Sequence, residues 1–238
     1  MHLKHNYSAW YIAYRHFFYL LVYIRIKAMV KSLNFAVEIN MRHSLDLEVR
    51  RVILVKQKAE WFKKMGYRLS LPGSLNLDNL KKISQEEAEE YINKAYKEDD
   101  YKNANIKIQE DWAAMSMGFK EKLLKYELNP LDVYDVFLTK YGVKGSYDLP
   151  NSITINFKQL EINNISRVIM HEIVHLLIEG LIQKYNVEHW RKERIVDLIC
   201  FKINPTANYL QSIPIETEKI DKAFDSFFPN IEKVIQNS

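Results

Sequence analysis

Cysteine is almost missing from this sequence. Cys200 stands alone among 238 residues, which excludes an intrachain disulfide and any metal knuckle built on paired thiols. A lone thiol agrees with a reducing compartment, so a cytoplasmic location is expected. Glycine and proline are sparse, at six residues each, and neither repeats nor low-complexity runs occur. A strong charge of one sign is also lacking. The net charge is +4 and dispersed, too little to argue for nucleic acid as a partner.

Long hydrophobic runs are missing too. The longest, Phe17 to Ile24, is far too short to span a bilayer. It has no small-residue cleavage site of the kind a signal peptide carries. The segment around it, 10–27, is nevertheless dense in aromatic and aliphatic residues, closed by Arg25 and Lys27. It admits three readings: a buried element of the domain, a segment in weak contact with a membrane surface (a membrane-associated location), or translated sequence ahead of a start at Met29 or Met41. Residues 1–40 are therefore set apart as an apolar aromatic segment, and 41–238 are read as a single domain.

What is present is concentrated between Asn163 and Cys200. His171-Glu172-Ile173-Val174-His175 on an α-helix sets two imidazoles one turn apart on one face. Two such nitrogens can bind one Zn²⁺ while Glu172 reaches the water on its open side. Asn163 or Asn164 can cap this helix and Gly180 can end it. Its apolar surface, including Val168, Ile169, Ile173, Val174, Leu176 and Leu177, predicts burial. Buried His and Glu side chains need partners, which a metal ion supplies. Hydrogen bonds within a core helix would also satisfy them.

A second helix follows, from Glu188 to about Asn204-Pro205. Glu193 and Asp197 share a face, with His189 one turn earlier. Glu193 can be the third protein ligand, and Asp197 can accept a hydrogen bond from the far nitrogen of a ligating histidine. The competing reading is a solvated face pairing with Lys192 or Arg194.

His171-Glu172-x-x-His175 followed by Glu193-x-x-x-Asp197 resembles the signature of the gluzincins, the thermolysin-like branch of the zincin metallopeptidases. The apolar flanks of the pentapeptide match as well. The resemblance covers about Ser152 to Cys200, and the short interval from His175 to Glu193 suggests a compact member. It implies peptide-bond hydrolysis with one Zn²⁺ held by His171, His175 and Glu193. Glu172 would be general base and acid, and Asp197 would orient a histidine. It also implies a Tyr or His that stabilises the oxyanion, for which Tyr185, His189 and Tyr209 are candidates. In zincins a sheet edge beside the motif helix holds the peptide as an added strand, and Ser152–Phe157 is either that edge or a core strand. The partner expected is a peptide or protein substrate. A non-catalytic zinc-binding or protein-interaction domain is the alternative from another class.

The remaining chain reads as mostly helical with a small mixed sheet, an α+β fold with its metal core at 152–202. Helices are expected over Leu45–Lys64 with Gly66 as stop, from the capping box at Ser84 to about Lys97, and over 101–127. In the last of these, Ile106, Met115 and Leu124 are expected to face inward beside Trp112 and Phe119. Asn129-Pro130 reads as the cap of another helix ending at Gly142. Pro214 leads a further amphipathic helix toward Pro229, either a lid on the core or a self-association surface.

Overall fold

A computed structural model describes residues 36–73, 75–116, 118–205 and 210–238. The aromatic segment 10–27 lies outside the described residues, as does Tyr209.

The fold is α+β and mostly helical, around one four-stranded mixed sheet. In chain order the elements are β1 (Glu38–Arg42), α1 (Leu45–Gln57), α2 (Ala59–Lys64), α3 (Leu77–Leu80), α4 (Gln85–Ala95), α5 (Glu98–Ser116) and α6 (Phe119–Lys125). Then follow β2 (Val133–Thr139), β3 (Gly145–Asp148), β4 (Ser152–Asn156), α7 (Ile162–Lys184), α8 (His189–Ile203), α9 (Glu218–Phe227) and α10 (Ile231–Asn237). The spatial order of strands is β1-β2-β4-β3. β1 runs parallel to β2 and β2 to β4, while β3 folds back antiparallel on β4. Residues 38–40 thus belong to the sheet, across the expected boundary at Met41.

β2 corrects the expected helix from Asn129-Pro130 to Gly142. Tyr134, Val136 and Leu138 are buried in strict alternation, which is the period of a strand. Branched and aromatic side chains at Val133, Tyr134, Val136, Phe137 and Thr139 fit a pleated surface. The cap-like punctuation at both ends belongs to loops.

Ser152–Asn156 forms β4, an inner strand between β2 and β3. It is therefore core, and the sheet edge beside the motif helix is β3. Ile153 and Ile155 are fully buried against that helix's Ile165, Ile169 and Ile173 in one apolar cluster. Each such side chain contributes roughly 1.5–3 kcal/mol through burial.

α7 differs from expectation at both ends. Its N-cap is Glu161, which makes no side-chain cap bond, and the helix runs through Gly180 to Lys184. An interior glycine costs about 0.5–1 kcal/mol. Burial of Ile178 and Ile182 on either side outweighs that. The expected helix over 45–64 is broken at Lys58, and Pro214 precedes α9 by several residues. Ile106 and Leu124 are exposed rather than inward. The capping box at Ser84 is present: its hydroxyl accepts from Glu87 N and the Glu87 carboxylate accepts from Ser84 N.

Helix α1 is tied to the sheet by a buried carboxylate. Glu48 accepts hydrogen bonds from Tyr101 Oη, from Thr139 Oγ1 at 2.5 Å and from Lys140 N at 2.8 Å. Burying a carboxylate is tolerable only with such a set of donors. The tie brings α1, and with it Arg51, beside the start of β3, where Arg51 Nη1 donates to Ser146 Oγ at 3.1 Å. No helix among the described residues is long and apolar enough to cross a membrane.

Candidate metal centre

α7 and α8 pack together and carry the five residues of the sequence signature between them. His171 and His175 lie one turn apart on α7, and their Nε2 atoms are 3.0 Å from each other. Glu193 Oε2, from α8, is 3.4 Å from each of those nitrogens. Four ligands at about 2.0–2.1 Å in a tetrahedral shell stand about 3.3 Å apart. The three donor atoms therefore already describe one face of such a shell, and two nitrogens with one carboxylate oxygen are a donor set suited to zinc. Among the described residues, this is the group that could hold a metal ion.

The groups behind the donors fix them. Asp197 Oδ1 lies 3.4 Å from His171 Nδ1. Asp197 in turn accepts from the Gln211 backbone N at 2.8 Å and from its Nε2 at 3.0 Å. His175 is held differently: the Tyr147 ring stacks on it, 4.8 Å between centroids and 14° from parallel, while its Nδ1 is buried without a partner. Tyr147 Oη donates to Glu179 at 2.6 Å and accepts from Lys192 Nζ at 2.9 Å.

Electrostatics follow from burial. Desolvation pulls the His175 imidazole down to about 4, so near neutral pH it is an uncharged ligand. Burial alone would raise Glu193, but His175 and His171 hold it well below the usual carboxylate range. Glu193 is thus an anion facing an uncharged His175 and a His171 that, against the pull of burial, Cys200 and Glu193 raise well above its ordinary value, so metal binding would release a proton from His171.

Glu172, next to His171 on α7, lies against Gly145 of β3 and is 6% exposed. Burial raises its pKa to about 7; His171 counters this and Glu193 reinforces it. A carboxylate poised near neutrality is matched to taking and returning a proton. Its position depends on Gly145 in β3. A β-carbon at 145 would collide with Glu172 Oε1 and come within 2.6 Å of Val168 Cγ1.

His171, Glu172, His175 and Glu193 line one cleft of about 770 Å³. Of the expected oxyanion stabilisers, His189 lines it, with Nδ1 3.8 Å from Glu193 Oε1. Tyr185 does not: its hydroxyl donates to Glu232 and accepts from Gln236, tying α7 to α10. Tyr67 lines the cleft instead, with its hydroxyl 2.8 Å from His189 Nε2. Burial, then the nearby charges of Glu193 and Glu172, raise that hydroxyl's pKa. Tyr67, Gly145 and Tyr147 are brought in by tertiary packing from elements outside the signature, and no spacing in the sequence points to them.

No family model, curated protein or solved structure matches the chain.

Proposed function

We propose that the protein is a zinc-dependent metallopeptidase with a zincin-like catalytic domain, a compact protein of the gluzincin type that hydrolyses peptide bonds. The observation that carries this reading is the triangle of His171 Nε2, His175 Nε2 and Glu193 Oε2, with edges of 3.0–3.4 Å, beside a buried carboxylate in an open cleft. A zinc ion held there supplies Lewis acidity, polarising the scissile carbonyl and lowering the pKa of water toward neutrality.

The chain's own residues do the rest. Glu172 takes the proton of the attacking water and returns it to the leaving amine, a shuttle suited to a pKa of about 7. With the proton of its ring on Nε2, His189 donates to Tyr67 Oη and leaves the Tyr67 hydroxyl free to donate to the developing oxyanion. Asp197 orients His171, and the Tyr147 ring fixes His175. The outer edge of β3, whose strand abuts Glu172 at Gly145, offers main-chain groups to an extended peptide. The buried Cys200 thiol is compatible with action in the cytoplasm.

The test is cleavage of an unfolded protein such as casein, with and without chelator. Cleavage that chelator abolishes and zinc restores, and that Glu172→Gln loses while keeping its zinc, supports the proposal. A zinc-loaded protein that cleaves no peptide would instead be the non-catalytic binding domain.

A further inference from the structure

The cleft is not electrically neutral away from the metal group. Glu172, Glu193 and Asp197 serve that group, which leaves Asp148 and Glu161 as lining acids against six lysines and arginines. Three of these bases line the cleft from segments that meet. Lys144 adjoins Gly145 in the chain, Arg167 adjoins Val168, and Gly145 and Val168 touch. Arg51 reaches the same place through Ser146.

Two of the three side chains carry a buried nitrogen with no acceptor. Arg51 is 7% exposed. Its Nε donates to the Tyr141 carbonyl at 3.4 Å and its Nη1 to Ser146, but Nη2 is buried with no acceptor. Its guanidinium packs against Gly142, where a β-carbon would come within 2.7 Å of Nε. Arg167 Nε is likewise buried without a partner. No ion pair within 4.0 Å engages Arg51 among the described residues; burial lowers its pKa, and the charges of Asp148, Glu172 and Glu48 counter this from farther off. A buried guanidinium left unpaired is costly, and a planar carboxylate matches its fork of donors.

We infer that the start of β3 and the first turns of α7 form a subsite for a carboxylate of the peptide substrate, bound by Arg51 and Arg167 with Lys144 at its rim. The inference rests on the hydrolase reading and names the substrate class: peptides with an acidic side chain, or a free C-terminal carboxylate, near the scissile bond. The other side of the cleft is walled by the rings of Trp61, Tyr67 and Trp190, and its bases Lys58, Arg68 and Lys192 have no nitrogen both buried and without an acceptor.

Binding tests this without turnover. Zinc-loaded Glu172→Gln protein is titrated with short fluorescent peptides in matched pairs. The pairs carry Glu or Gln at successive positions, and one pair differs by a C-terminal carboxylate or amide. The acidic member of at least one pair binds about tenfold tighter, the worth of a charge-assisted hydrogen bond. Which pair responds distinguishes the side chain from the C-terminus. The preference shrinks toward parity in Arg167→Gln, at a half-buried position, and in Lys144→Gln, at an exposed one; these decide the matter if Arg51→Gln fails to fold. Equal binding within every pair, or no binding of any peptide, overturns the subsite. If the preference holds but wild type cleaves none of these peptides, the hydrolase reading falls and the carboxylate subsite stands.

Discussion

Gly145 lies so close to Glu172 that a β-carbon at 145 would overlap the carboxylate oxygen Oε1. The base of the proposed reaction is thus positioned by the backbone of the edge strand that would also receive the peptide. Substituting this glycine should move Glu172 without touching a metal ligand. Gly145→Ala should lower kcat about a hundredfold, the usual cost of a small misplacement of a reacting group, with zinc content unchanged. A variant that retains full kcat would show that Glu172 does not need this seat.

The raised pKa of Glu172 also predicts a stability difference in metal-free protein. The folded-state value is about 7 against an ordinary 4.5, so between those values the folded form binds more protons than the unfolded. Stability from this group is full below pH 4.5 and is lost as pH rises through 7. His175, lowered to about 4, works the opposite way below 6.5, so the contribution of Glu172 is best read as a difference between proteins. In chelator, Glu172→Gln should gain on wild type from pH 5 to pH 8, by up to about 3 kcal/mol. Urea unfolding at the two pH values measures it; an unchanged difference contradicts the burial of Glu172.

Tyr67→Phe removes one hydroxyl from the cleft while keeping the ring stacked on Trp61 and Trp190. Loss of a single oxyanion donor costs about 10²–10³ in kcat, so a fall of that order with little change in KM is expected. Tyr185→Phe, whose hydroxyl serves only the junction with α10, should leave kcat as it was. Steady-state kinetics on one peptide compares the two.

The signature itself was legible because it is local. His171 to His175 and Glu193 to Asp197 are each one helical turn, and helical periodicity alone sets them on common faces. That the two helices converge with donor atoms 3.0–3.4 Å apart could be expected only through the resemblance. Tyr67, Gly145, Tyr147 and Arg51 were not legible, since each arrives from another element through long-range packing. Asn129-Pro130 and Gly142 imitate helix punctuation around β2, while its alternation of Tyr134, Val136 and Leu138 carries the period of a strand. Gly180 imitates a helix stop in the same manner, but burial on both sides of it keeps the helix going.

Asp197 is anchored twice by Gln211 and faces His171 Nδ1. Asp197→Asn should therefore weaken zinc binding about 10- to 100-fold, as loss of a carboxylate behind a ligating histidine does. Competition with a chromogenic chelator reads the affinity directly. An unchanged affinity would mean that Asp197 does not orient His171, whose side chain is also hydrogen-bonded with Cys200.

The central claim, that His171, His175 and Glu193 form a zinc site, is tested most directly by the zinc content of the purified chain beside that of Glu193→Ala. The structure leads to a single zinc ion per chain in wild type, lost or markedly weakened in the variant. A folded wild-type chain that carries no zinc and takes up none on addition would contradict it, and the peptidase proposal would fall with it.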